Sequence, residues 1–145
     1  MHVRAERLRL QSEELIEQDA IAYLAFIEAV RSGQGVAGAR ARTVQVPLEI
    51  ARAAAEVAEL AEQAGALGNP KLRPDAVVAA MLASAAAEAA AYLVGINVGE
   101  TTDVRWDEAR RIAGEASARL RSPGARGSSS GPGRGRARPE GSRRR

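Results

Sequence analysis

Between residues 3 and 31 the apolar positions are Leu8, Leu15/Ile16, Ala20, Ala22/Tyr23, Phe26/Ile27 and Val30. They follow the three-and-four spacing of an amphipathic helix, and no glycine or proline interrupts them. This predicts one long first helix. Ser32–Arg42, SGQGVAGARAR, holds three glycines and ends it. A second helix is predicted from about residue 43 to 64, with its stripe at Val44, Leu48, Ala51, Ala54/Ala55, Ala58 and Ala61/Ala64. Pro47 fits the first turn of that helix, or kinks it if the helix begins earlier. Gly65 and Gly68 stop it, and Asn69-Pro70 prevents its resumption.

Asp75 then stands where an N-cap belongs, ahead of Ala76-Val77-Val78. From Ala76 to Gly99 the only charged residue is Glu88, and ten of those twenty-four residues are alanine. A helix with so little polar surface has almost no face suited to water. It is expected to be the buried centre on which the other helices pack. A last helix is predicted over about 103–121, capped by Thr102 or Asp103, with Val104, Ala109, Ile112, Ala116 and Leu120 on its stripe. Nothing reads as a strand. The expected fold is therefore all-α, an antiparallel bundle of about four long helices. An alanine-rich core of this kind is thin, and a homodimer burying one face of the first or third helix is the expected remedy.

Composition changes this picture at the C-terminus. Residues 122–145 contain no aliphatic side chain larger than alanine, and carry seven arginines and one glutamate. Such a segment cannot bury enough apolar surface to offset its ordering entropy, so it is expected to be a disordered basic tail. The chain's net charge is +3. With the tail at +6, residues 1–121 sum to −3, so the basic character belongs to the tail and the helical domain, 1–121, is mildly acidic. Arginine-glycine tails contact nucleic acid through phosphates, but this one has no aromatic residue to stack on bases. Nucleic acid is thus not an expected partner except through the tail.

No cysteine is present, and the single histidine is His2. That excludes a disulfide framework, a thiolate or histidine metal centre, and a histidine-based catalytic triad. The charged start, MHVRAERLRLQ, has no apolar signal-peptide core. Residues 76–99 are long enough to span a bilayer, but alanine inserts poorly and Glu88 lies mid-span. No membrane span and a cytoplasmic location are expected.

Three stretches together resemble the cyclodeaminase family, which includes formiminotetrahydrofolate cyclodeaminases and methenyltetrahydrofolate cyclohydrolases. The first is EQDAIAYLAFIEAV in the first helix; the second is Val46-Pro47-Leu48-Glu49-Ile50-Ala51. The third is Gly68-Asn69-Pro70, followed by Asp75-Ala76 opening an alanine-rich helix that ends at Ile96-Asn97, and then Asp103. They occur in the family's order over roughly residues 4–120. The resemblance implies an all-helical, dimeric fold and a tetrahydrofolate derivative as substrate, with no metal or organic cofactor. It also implies chemistry at a one-carbon unit bridging two nitrogens, either hydrolytic opening or closure with loss of ammonia. Both routes need a proton-transfer group, a role suited to a carboxylate in a partly desolvated pocket.

The sequence also departs from the family. Such proteins begin with a Pro-Gly-Gly-Gly-Ser-type segment, a further long helix and a basic stretch ending in tyrosine, whereas this chain starts at Met1 just after that point. Ser32–Arg42 is shorter than usual and lacks a Leu-Pro-Lys-like sequence. Lys71 stands where asparagine is common, and Pro74 where serine is. Two expectations follow: a folate enzyme, or a catalytically inactive truncated member that serves as a helical dimerisation module.

Each candidate residue carries a structural alternative. Asp75 is a proton-transfer or substrate-anchoring group, or a plain N-cap, or both. Asp19 falls on the apolar stripe of the first helix, four after Leu15 and three before Ala22. It is a pocket acid or a buried partner of an arginine, since a lone buried carboxylate is costly. Asn97 bonds the pterin or ends its helix. Asn69 contacts substrate or shapes the turn. Lys71 and Arg73 hold the acidic glutamate tail of a folate or are ordinary loop charges. Glu88 is expected to pair with an arginine or to lie exposed, and Trp106 and Tyr92 to serve the core rather than a pterin.

Overall fold

The computed structural model describes residues 1–100 and 102–120, and the expected basic tail at 122–145 lies outside them. Four helices follow one another: α1 (His2–Ser32), α2 (Val36–Leu67), α3 (Arg73–Val98) and α4 (Val104–Leu120). A single 3-10 turn, Pro70–Leu72, precedes α3. Among the described residues there is no strand. The all-α antiparallel bundle is the fold.

The second helix is longer than its pattern suggests. It begins at Val36 rather than near residue 43, so the connection from α1 shrinks to Gly33-Gln34-Gly35. Gly33 and Gly35 adopt φ of 71° and 67°, the left-handed region that glycine enters without a Cβ penalty. Gly38, the third glycine, is simply helical. This early start puts Pro47 inside the helix. A proline there cannot donate to the carbonyl four residues back, here that of Thr43. The side-chain amide of Asn97 on α3 fills the vacancy, donating from Nδ2 to the Thr43 carbonyl oxygen at 2.6 Å. A helix break that would cost an unpaired carbonyl thus becomes a tie between two helices.

The organising helix is α2, not α3. It packs against α1, α3 and α4, most extensively against α3. The main core cluster joins Val44, Leu48 and Ala51 of α2 to Ala91, Val94 and Val98 of α3 and to Ala109 and Ile112 of α4. Alanine dominates because α2 and α3 run close together. Each buried methyl contributes only about 0.8 kcal/mol, so close approach substitutes for side-chain bulk. α1 lies on α2 through Leu8, Leu15, Ala22 and Ala29, one residue every seven. Of the predicted α1 stripe, Ile16, Tyr23, Ile27 and Val30 are exposed.

The expectation that α3 is buried all round is also corrected. By length and apolarity its stretch, Pro70–Val98, could cross a membrane. In the bundle one face packs inward, while Val78, Met81, Leu82, Tyr92, Leu93 and Ile96 remain exposed. It has two neighbours of substance, α2 and α4. Two neighbours leave the rest of the helix surface uncovered.

Candidate functional site

Because α1 and α3 both lean on α2 and not on each other, an apolar groove of about 490 Å³ runs between them. Its floor is Ile50, Ala53 and Val57 of α2, and its walls are Ser12 and Ile16 of α1 with Leu82 and Ala86 of α3. On α3 the residues Asp75, Ala79, Leu82, Ala86, Leu93 and Asn97 follow at helical spacing and share the edge that turns toward α1. On α1, Asp19 comes one turn after Ile16 on the same side as Ser12. None of the three candidates is among the lining residues: Asp19 and Asp75 stand one turn beyond Ile16 and Ala79, and Asn97 lies eleven residues past Ala86.

They lie toward different ends of the bundle. Asp75 and Asn97 are separated along α3 by about 33 Å, at 1.5 Å per residue. Asp19 belongs with the Asn97 end: its neighbours Leu15 and Ala22 pack on Val46, and Gln18 accepts a hydrogen bond from Arg42. Asp19 is half-buried and has no hydrogen-bond or ion-pair partner among the described residues. The arginine pairing envisaged for it is not seen.

Asp75 does not cap its helix. α3 starts two residues earlier, at Arg73, with Pro74 in the first turn, and Leu72 occupies the N-cap position without a side-chain bond. Proline's fixed φ favours that early start. Asp75 sits instead in the first turn, exposed, where the helix dipole favours its negative charge. Its carboxylate is left for other partners.

The turn before α3 gathers the remaining candidates. Asn69 is engaged locally: its Oδ1 accepts the Lys71 backbone N–H at 3.0 Å, capping the 3-10 turn. Lys71 is exposed, whereas Arg73 is half-buried and lines a cavity of about 50 Å³ with Glu62 and Arg119. Asn97, as described, is spent on the Thr43 carbonyl. Asn69, Lys71, Arg73 and Asp75 thus form a cationic and polar end, and Asp19 a separate acidic one. Among the described residues Glu88 has no arginine partner; it accepts a hydrogen bond from Ser117 and is exposed.

Two features escaped the sequence pattern. The first is the Pro47–Thr43–Asn97 tie, whose signal was present: a proline inside a helix always frees the carbonyl four residues before it. The second is a knot at the start of α4. Asp103 Oδ1 accepts the Arg105 backbone N–H at 2.9 Å, and its carboxylate also takes the Arg105 guanidinium at 2.5–3.1 Å. Arg105 reaches on to the Ala41 carbonyl on α2 at 3.0 Å. These bonds from Arg105 hold the Asp103 carboxyl down at about 2. Among the described residues no group of three potential metal ligands is brought together.

A family model described as formiminotransferase-cyclodeaminase matches residues 1–115. No curated protein and no solved structure matches the chain.

Proposed function

The chain belongs to the formiminotransferase-cyclodeaminase family, and from that premise we propose that it acts on tetrahydrofolate derivatives in one-carbon metabolism. The reaction is that of a methenyltetrahydrofolate cyclohydrolase or a formiminotetrahydrofolate cyclodeaminase. In the first, water adds to the methenyl carbon, its proton passes to a base, and one carbon–nitrogen bond breaks as that nitrogen is protonated. In the second, a folate nitrogen attacks the formimino carbon and ammonia leaves after taking up a proton. Asp19 and Asp75 are the candidate acid–base groups. Lys71 and Arg73 suit the carboxylates of the folate's glutamate end. The observation that carries the reading is the family match over residues 1–115, with Asp19 and Asp75 each one turn beyond the lining of an apolar groove.

The two ends are far apart in one chain, and a homodimer resolves this. Ile16 and Leu82 are 71% and 68% exposed, and Met81, Tyr92 and Ile96 add to the same uncovered surface. Apolar area of that extent favours association. An antiparallel two-fold pairing across α3 sets Asp75 of one protomer against the Asn97 end of its partner, so that each site draws on both copies. The protein so assembled is proposed to work in the cytoplasm, with neither metal nor organic cofactor.

The test is loss of methenyltetrahydrofolate absorbance, paired with ammonia release from formiminotetrahydrofolate, on the full chain. Turnover in either assay identifies the reaction. Asp19→Asn and Asp75→Asn are each expected to lower kcat by about 10²-fold, the usual worth of a positioned acid or base. Lys71→Ala is expected to raise KM while sparing kcat. A second reading, an inactive family member acting as a dimerisation module, is favoured by the distance between the two aspartates. A dimer in sedimentation with no turnover in either assay would establish that reading instead.

A further inference from the structure

Residues 122–145 carry seven arginines, no lysine and one glutamate, so their side chains sum to +6, against −3 for residues 1–121. A cationic segment joined to an acidic bundle has its nearest partner in the bundle itself. The ion pairs of the bundle remove that partner. Of the chain's eighteen acidic residues, Glu140 lies within the segment, and eleven are paired with arginines of the bundle within 4.0 Å. A carboxylate neutralised by an adjacent guanidinium presents little net field beyond the screening length.

The acidic residues without an arginine partner among the described residues are Glu14, Glu17, Asp19, Asp75, Glu88 and Glu100. They are scattered. Three belong to α1, and Asp75 and Glu88 stand about 20 Å apart along α3 at 1.5 Å per residue. Among the described residues no three acidic groups are gathered tightly enough to hold a cation. The bundle therefore offers seven arginines no acidic patch to settle on, and their charge is left for an external polyanion.

Composition selects among polyanions. The segment has no aromatic side chain and no aliphatic one larger than alanine. It has nothing to bury in the hydrocarbon edge of a lipid surface or in the apolar core of a protein interface. Each of its cations is a guanidinium, whose fork takes two phosphate oxygens at once. A nucleic-acid backbone supplies phosphates in series. Single strands are gripped by stacking their bases on aromatic rings, which are absent here. A duplex asks for no stacking and presents one charge about every 1.7 Å of its axis.

We propose that residues 122–145 bind duplex nucleic acid through its phosphates, without regard to base sequence, and tether the helical bundle to it. DNA and RNA duplexes share that chemistry. The proposal does not rest on the folate reading, since no residue of the bundle takes part.

Fluorescence anisotropy of a labelled DNA duplex of about 20 base pairs, titrated with the full chain, reads the binding. The titration is repeated with the RNA duplex and with the single strands. Duplex binding is expected to weaken by about 10³-fold between about 50 and 200 mM salt. With all seven arginines on phosphates, the slope of log K against log salt is about −6. Replacing Arg134, Arg136 and Arg138 together by alanine should bring that slope to about −4 and leave the helical circular dichroism unchanged. Arg52→Ala, in the bundle, should leave the slope as it was. Binding of either duplex supports the proposal, and a preference between them names the source of the phosphates. No binding at 50 mM salt, tighter binding of single strands, or an unchanged slope in the triple variant would overturn it. Equal binding of anionic phospholipid vesicles or of polyglutamate would overturn it too, in favour of a lipid surface or an acidic protein. Silence in the folate assays would leave it untouched.

Discussion

The two flanks of α2 use opposite chemistry. Toward α4 and the start of α1 it is laced with ion pairs: Arg4 to Glu59, Arg7 to Glu56, Arg52 to Glu108, and Arg119 to Glu62. On the side where α1 and α3 stand apart, the groove lining carries no charge at all. The laced flank is complete as a water-facing surface, because every long side chain keeps its charged head wet and covers apolar stem beneath it. The bare flank ends in exposed leucine, isoleucine and tyrosine. One flank is finished by solvent, and the other calls for another surface.

The sharpest way to break this comparison is to remove one leucine from each region. Leu48 is 1% exposed and Leu82 is 68% exposed. Leu48→Ala is expected to cost about 3 kcal/mol in urea-induced unfolding, through lost burial and the cavity left behind. Leu82→Ala should barely move the unfolding of the single chain but should weaken self-association in sedimentation equilibrium. Equal losses of stability from the two variants would show that the bare flank is not a surface for a second copy.

The seam between the flanks is the Pro47–Thr43–Asn97 tie. Asn97→Ala leaves the Thr43 carbonyl without its partner and is expected to cost about 1–2 kcal/mol. Adding Pro47→Ala restores a backbone N–H that can fill that carbonyl from within α2. The double variant should therefore recover part of the loss, and a double-mutant cycle would read the coupling. Strict additivity would mean that the proline and the asparagine do not share one acceptor.

Helix count, order and polarity were all legible in the three-and-four spacing, because burial on α2 demands that period. What the pattern could not convey was which helix lies at the centre. Alanine in α3 signals close approach, but close approach on one face looks the same in sequence as burial on every face. The start of α2 was misplaced for a local reason: Gly33 and Gly35 suffice to reverse the chain, so Gly38 did not need to be loop. The candidate residues were recognisable singly, yet their distribution over two ends of the bundle is a property of α1 and α3 packing on α2 without meeting. Asp75 looked like a cap because a cap is defined by where the helix starts, and Pro74 moved that start forward.

On the laced flank, the Asp103–Arg105 knot should be worth about 1 kcal/mol, as a helix-capping carboxylate is. Its carboxyl is held below the usual carboxylate range, at about 2, by the Arg105 bonds, so folding favours the ionised form. Its contribution is fully present above about pH 4 and is lost as pH falls toward 2. Asp103→Asn should accordingly lower stability at neutral pH, and the gap from the unsubstituted chain should close over that acid window. A gap independent of pH would mean that the carboxylate's charge is not what holds the knot.

The smallest effect belongs to the single ion pairs, and it bears most directly on what the laced flank is for. Arg52 donates from Nε and Nη2 to one oxygen of Glu108, at 3.0 and 2.6 Å, with both side chains at least a third exposed. Water screens such a pair, and ordering two long side chains offsets much of the attraction. A double-mutant cycle with Arg52→Ala and Glu108→Ala should give a coupling of about 0.5 kcal/mol, falling further in 1 M salt as the screening length shrinks. If the coupling is this small, the lacing contributes little to holding α4 on α2. Its role is then to keep this flank wet and unattractive to a second copy, which leaves association to the apolar flank. A charge-reversed pair, Arg52→Glu with Glu108→Arg, should accordingly leave both stability and oligomeric state as they were. A coupling of several kcal/mol would instead make the flank a structural clamp.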